Sequence, residues 1–318
     1  MKVRFGYVAI ALGVPNGSPN KTITVKNFEK ITDLNAGQHR LHSILKENLE
    51  TTRRILRYNA AHQVHVYRLT SKTVPLATHK LTAGWDYIAD FSEEWAEIGA
   101  IVQQYNMRIS AHPDHYTLLN SPQPDILAAS IKDLEYHVGM LEAMKLDLAP
   151  QLVIHIGGAY KNKELSTKRF LTEFINLPER IRFRLMLEND DKVYSASDVL
   201  AICQQTGTPM VLDVHHHACV NNGENLREIW PAIVETWAGK TPKIHISSPK
   251  SEKDFRSHAD YVDLEDFLPF LEAAREINVD LDVMIEAKQK DLAMFKLLED
   301  LENTRKVKRI ELTTIEMQ

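Results

Sequence analysis

Eight short runs rich in β-branched, aliphatic and aromatic residues recur along the chain. They are VRFGYVAIA from residue 3, VHVYRLT from 64, RISAH from 108, QLVIHIG from 151, RFRLMLEN from 182, MVLDVHH from 210, KIHISS from 243 and DVMIEAK from 282. Each is short enough to be a strand buried on both faces. Between them the apolar positions return every three or four residues, as on one face of a helix. Trp85, Ile88, Phe91, Trp95, Ile98 and Ile101 predict one continuous helix between the second and third runs. Leu41, Ile44, Leu45, Leu49 and Leu56 predict another after the first run, and Ile131, Leu134, Val138 and Leu141 a third, with Ile126 just ahead of it. Further helical patterns lie near 168–177, 197–205, 225–237, 264–277 and 290–302.

Strand and helix alternate throughout, the order of a parallel α/β fold. Eight such units predict a TIM (β/α)8 barrel, whose active site lies at the C-terminal mouth of the strands. A doubly wound open sheet is the main competitor, but it would gather ligands at one switch point rather than from nearly every strand. A single domain over 1–318 is expected, with the polar NTRKVKRIELTTIEMQ, from about residue 303, as a terminal appendage.

Composition narrows the function classes only partly. With 38 Lys plus Arg against 43 Asp plus Glu, the net charge of −5 does not advertise a polyanionic partner. Cations bound in a carboxylate-lined cleft would reverse that sign locally. The two cysteines, Cys203 and Cys219, have neither C-x-x-C spacing nor the number needed for a disulfide framework, which points to a reducing cytoplasm. The apolar opening leads into a Pro/Gly/Asn turn rather than a cleavage site, no stretch is long enough to span a bilayer, and no obligate protein partner is evident. No P-loop, G-x-G-x-x-G fingerprint or internal repeat is present.

The predicted strand ends carry the chemistry. His112 closes RISAH, His155 sits in QLVIHIGG, Glu188 ends RFRLMLEND, Asp213 precedes His215, His216 and His217, His245 lies in KIHISS, and Glu286 follows DVMI. One buried histidine is ordinarily a hydrogen-bonded core residue, but buried imidazoles and carboxylates at six strand ends are costly unless they share partners. A divalent-metal site built from nitrogen and oxygen ligands is the natural reading, compatible with Mn, Zn, Fe or Mg. Glu188 and Glu286 are placed to bridge cations, and paired cations stabilise the attacking and leaving oxygens of a phosphoryl displacement. Phosphodiester hydrolysis is therefore the leading reaction class. Strict strand alternation would turn His215 and His217 inward with Asp213; a turn at the strand end would present His216 instead. Lys243 shares a strand face with His245, so burial among cations should lower its pKa or favour carboxylation of its amine. The alternative is a lysine that bends away to phosphate or solvent.

Several blocks, in order, resemble the UV damage endonuclease family over nearly the whole chain: RFGYVAI, YRLTSKTVPLATH, HPDHYTLLNSP, VIHIGGAYKNK, LENDDK, LDVHHH, KIHISSPKSEKDFRSHADYVD and MIEAKQKD. The resemblance implies a barrel related to endonuclease IV that nicks damaged double-stranded DNA immediately 5′ of UV photolesions, leaving a 3′ hydroxyl and a 5′ phosphate. It implies up to three divalent ions, with Mn expected, on His79, His112, His155, Glu188, Asp213, His216, His245, His258 and Glu286. It also places Lys243 where the family has a lysine that can be carboxylated, and gives catalytic roles to Glu188, Glu286 and Lys243. Tyr7, His115 and Tyr116 fall at lesion-contacting positions, although His115 stands where the family usually has Gln and the first-loop Asn is replaced in the Ala9, Ile10, Ala11 stretch. Lys250, Lys253, Arg256, Lys288 and Lys290, in loops after the last two predicted strands, are candidate phosphate contacts, Lys250 and Arg256 foremost. The alternatives are an abasic-site endonuclease of the endonuclease IV type, a sugar isomerase or epimerase on the same barrel, and a non-catalytic lesion-binding protein.

Overall fold

The computed structural model describes all residues, 1–318. Every predicted strand is present: β1 (Lys2–Val8), β2 (Val66–Leu69), β3 (Arg108–Ala111), β4 (Leu152–His155), β5 (Leu185–Glu188), β6 (Met210–Asp213), β7 (Lys243–Ile246) and, after a small hairpin of β8 (Pro249–Ser251) and β9 (Asp254–His258), β10 (Leu281–Ile285). The parallel order runs β1, β2, β3, β4, β5, β6, β7, β10 and closes where β1 pairs with β10 in register Val3 to Leu281 through Tyr7 to Ile285. Helices fill the connections, so the fold is a TIM barrel. Gly6 permits the tight closure at β2, because a Cβ there would lie 1.9 Å from the Val66 carbonyl oxygen.

The core divides along the period of the strands. A cluster of 67 buried residues lies between the strands and the surrounding helices. Two small clusters stand apart from it, Val153, Met186, Val211 and Trp237, and Val8, Val66 and Met284. The strand residues among them occupy the alternate positions that face the barrel axis, and Trp237 joins from the turn before β7. Asp282 lies two residues below Met284, where Arg4 and Arg108 pair with it; two residues above the cluster positions lie Arg68, His155, Glu188, Asp213 and Glu286. The interior is thus an apolar middle between two charged layers, and the upper layer lies at the strands' C-terminal ends.

Two expectations need correction. The helix predicted across 85–101 is broken at Phe91, between a short turn at Tyr87–Asp90 capped by Asp86 and a helix at Ser92–Gln104. Phe91 turns into the core, while Trp85 stays outside both helices, stacked on His42 at 5.4 Å and donating to Asp90. The C-terminal residues are more than a polar extension. β11 (Val307–Glu311) and β12 (Thr314–Met317) form a hairpin whose second strand pairs antiparallel with Lys2–Arg4 of β1, below the stretch that β2 occupies. Ile315 and Met317 are buried there.

Candidate metal centre

Glu188, at the end of β5, is 1% exposed and is the hub of the mouth. His245 Nδ1–H donates to its Oε1 at 2.9 Å and His112 Nε2 meets its Oε2 at 3.0 Å. His155 Nε2 lies 3.8 Å from Oε2, and His216 Nδ1 lies 3.6 Å from Oε1. Three groups of potential donors share this carboxylate: His112 with His155, Asp213 with His216, and His245 with Glu286, their ligand atoms within 4.8 Å of one another in each group. His258 adds a further imidazole, with Nδ1 3.9 Å from Glu286 Oε2.

Local structure explains why His216 faces the site and its neighbours do not. Asp213 ends β6 and caps a short helix, Val214–Cys219, by accepting from the His216 amide at 2.8 Å. Strand alternation stops there, so the reading that turned His215 and His217 inward is overturned. His215 instead meets Ser247 Oγ and the Phe255 carbonyl, each at 2.7 Å, anchoring the β8–β9 hairpin, and His217 meets Asn221 at 2.9 Å. Asn189 knits β5 to β6 by accepting from the Asp213 amide and donating to its carbonyl, each at 2.9 Å.

The electrostatics follow from this packing. Burial would raise the Glu188 carboxyl, but the imidazoles of His245, His155 and His112 hold it well below the usual range. Burial would lower His216 and His245; Asp213, Glu188 and Glu286 lift His216 to about 9, and Glu188 and Glu286 lift His245 to about 9. Without cations, the imidazoles act as the counter-charge of the carboxylates.

The donor set fits divalent ions. Buried His155 Nδ1, Asp213 Oδ2 and His245 Nε2 have no hydrogen-bond partner, although such atoms are costly to strand. His112, His216 and His258 place Nδ1 against the backbone carbonyls of Pro113, Asn189 and Glu286 at 2.8, 3.0 and 2.9 Å. A donated Nδ1–H leaves Nε2 as the nitrogen turned away from the backbone, the outer-shell arrangement usual for a metal-binding histidine, and in His112 that nitrogen meets Glu188. His79 differs: its Nδ1 accepts from the Leu81 amide at 3.2 Å, and it is not in any of the three donor groups. Lys243 is 1% exposed and lies two residues before His245 on β7. Burial, with Arg108, Arg68 and Arg4 outweighing Asp282, pushes its amine down to about 7.

The exposed candidates divide differently. His115 and Tyr116 stand out from the loop after β3, with side rings 4.0 Å apart and His115 Nδ1 2.6 Å from Asp114. The loop beneath them is tied down by Thr117 to Asp133 at 2.6 Å and by the Leu118 amide to Ser130 at 2.8 Å. Tyr7 does not reach the surface. It is fully buried, donates to Asn59 Oδ1 at 2.5 Å and packs edge-on against Tyr67, because the first strand turns it between barrel and helices. Lys250 and Arg256, on the hairpin, pair with Asp254 at 3.2 Å and Asp191 at 2.7 Å. Arg68 was not singled out by sequence reasoning, yet its guanidinium pairs with Glu286 inside the mouth.

Residues 3–318 match the model of the family described as UV-endonuclease UvdE. The chain belongs to this family. The UV DNA damage endonucleases of Bacillus thuringiensis subsp. konkukian (strain 97-27) and Bacillus cereus (strain 03BB102) are each 45% identical over 318 residues, covering 99% of this chain and 100% of theirs. The crystal structure of SacUVDE superposes with a TM-score of 0.84 at 31% identity, covering 95% of this chain and 99% of that one. Endonuclease IV from Thermus thermophilus shares the fold, with a TM-score of 0.57 at 11% identity over 94% of this chain and 99% of its own. As a UvdE-family member the protein is a DNA-repair endonuclease. No helix in it is long and apolar enough to cross a membrane.

Proposed function

We propose that the protein nicks double-stranded DNA immediately 5′ of cyclobutane pyrimidine dimers and 6-4 photoproducts, leaving a 3′ hydroxyl and a 5′ phosphate, in a reaction dependent on up to three divalent ions, with Mn expected. The observation that carries the metal dependence is the three groups of imidazole and carboxylate donors that share the buried Glu188 carboxylate. His112 and His155, Asp213 and His216, and His245 and Glu286 would hold the ions with Glu188 at their centre, and His258 would join at Glu286. His79 would join them from the loop after β2. Divalent ions bound there supply the charge that stabilises the attacking and leaving oxygens of phosphodiester hydrolysis.

The chain's own residues do the rest. The rigid stem after β3 lets His115 and Tyr116 wedge beside a lesion, where a pyrimidine dimer has already weakened stacking and pairing. Extrusion at that point sets the adjacent phosphate over the mouth. Lys250 and Arg256 would hold flanking phosphates from the hairpin, after exchanging carboxylate partners for phosphate oxygens. Lys243, enclosed beneath His245 and faced by three guanidiniums, would gain from carboxylation: its neutral amine adds carbon dioxide through a new N–C bond and releases a proton, so an anion replaces a repelled cation.

The test uses end-labelled duplexes bearing one cyclobutane dimer, one 6-4 photoproduct, one abasic site or no lesion, with Mn, Mg or chelator, and maps the cut. A Mn-dependent cut immediately 5′ of either photoproduct is the expected result. Cutting confined to the abasic site would replace this reading with an endonuclease IV type of activity. Absence of cutting with every metal would refute it.

A further inference from the structure

Arg68 extends from β2, two strands away from β10, to the carboxylate that follows β10. Its guanidinium pairs with Glu286 Oε1, the oxygen that also meets His245 Nδ1 at 3.1 Å, and the two side chains are only 14% and 11% exposed. Glu286 belongs to the donor group Glu188, His245 and Glu286. A guanidinium cannot deprotonate to make room for a cation, so any ion taking up Glu286 must compete with it. A permanent positive charge at a cation site is a liability there unless it has a second anionic partner. The planar fork suits a phosphate oxygen as well as it suits a carboxylate.

We propose that Arg68 is a catalytic residue that exchanges partners: it holds Glu286 in the metal-free protein and, when a divalent ion takes Glu286, turns its guanidinium to the phosphodiester at the mouth. The inference rests on the metal-dependent reading above, but it adds a substrate contact at a residue outside the donor groups. Lys290, half-buried at the start of the last helix, is a further cation facing Glu286 and Arg68. A phosphate arriving at the mouth would therefore meet a positively charged rim even before the hairpin contacts form.

The experiment compares the full-length protein with Arg68→Gln and Arg68→Lys, using Mn alone and then dimethyl phosphate as a phosphodiester probe. Mn binding is followed by the EPR signal of the free ion, and probe binding by 31P line broadening on the Mn-loaded protein. Losing a charge-assisted competitor should tighten Mn binding by roughly tenfold in Arg68→Gln, while dimethyl phosphate binds roughly tenfold more weakly. Arg68→Lys, which keeps the charge and loses the fork, should lie between them. Damage to the fold would weaken Mn binding, the opposite direction. Unchanged Mn binding in Arg68→Gln, weaker Mn binding in a variant that keeps the wild-type melting temperature, or unchanged binding of the probe would overturn the proposal. Neither readout uses lesion-bearing DNA, so failure of the wild-type protein to nick photolesions would refute the proposed function without deciding the role of Arg68.

Discussion

Two buried carboxylates, one at each end of the barrel interior, are equally hidden from water and differently used. Asp282, near the lower end of β10, is fully buried, and Arg4 at 2.7 Å and Arg108 bind it from two other strands. Arg108 also donates to the Thr241 carbonyl at 2.7 Å and lies 5.2 Å over Trp237. Glu188, at the upper end of β5, is just as buried but is surrounded by imidazoles, and Asp213 Oδ2 and the opposite ring nitrogens of His155 and His245 remain without partners. Guanidiniums saturate a carboxylate and have no lone pair to offer; imidazoles can release a proton and become ligands. The same cost of burying charge is met by closure below and by readiness to bind above.

The sharpest way to separate the two ends is to neutralise each carboxylate. Glu188→Gln should lower nicking on the order of a thousandfold, the scale of removing one charged contact from a transition state, and should abolish stoichiometric Mn binding while the barrel still folds. Steady-state nicking with metal analysis checks this. Asp282→Asn should do the reverse. It strands two guanidiniums that are largely shielded from water, so the unfolding free energy in urea should fall by about 3 kcal/mol, with nicking per folded molecule little changed.

Titration distinguishes the ends less strongly but has a definite sign. His216 and His245 rise to about 9 in the folded protein from an ordinary 6.5, so their stabilisation is full below about 6.5 and is lost as pH climbs through about 9. Lys243, depressed to about 7, works in the opposite direction: its contribution is full above its ordinary value of 10.5 and is lost as pH falls through about 7. Two imidazoles against one amine leave a net decline, so the melting temperature of the metal-free protein should drop between about pH 7 and 9. Saturating Mn should flatten the drop, since ligation requires neutral imidazoles. Differential scanning calorimetry across this window, with and without Mn, provides the check. The smallest effect belongs to the two tyrosines. Tyr7→Phe should cost about 1 kcal/mol of stability through the lost Asn59 bond and leave the ratio of photolesion to undamaged binding unchanged. Tyr116→Ala should leave stability alone and lower that ratio, as fluorescence anisotropy would show.

What the sequence disclosed depended on how local each signal was. The strands were legible because a run such as QLVIHIG is buried on both sides, and the ligand types at their ends followed directly. The break at Phe91 was not, since Trp85 and Ile88 keep the helical spacing although Asp86 and Asp90 are engaged in capping and in holding Trp85. His216 depended on a turn that Asp213 makes by capping, an event invisible to strand alternation. Arg68 sat in a strand-like run with no neighbouring signal; its meaning lies in Glu286, distant in sequence and brought close only by barrel closure. The pairing of β12 with β1 was concealed for the same reason, because the tail is polar on one face and its partner lies at the other end of the chain.

Assembly of cations around Glu188 at the mouth is tested most directly by crystals of the full chain grown with Mn and measured on either side of its absorption edge. Anomalous peaks are expected beside Glu188, at His112 and His155, at Asp213 and His216, and at His245 and Glu286, with no peak at Asp282. An empty mouth at saturating Mn, or ions bound only at surface carboxylates, would contradict this assembly.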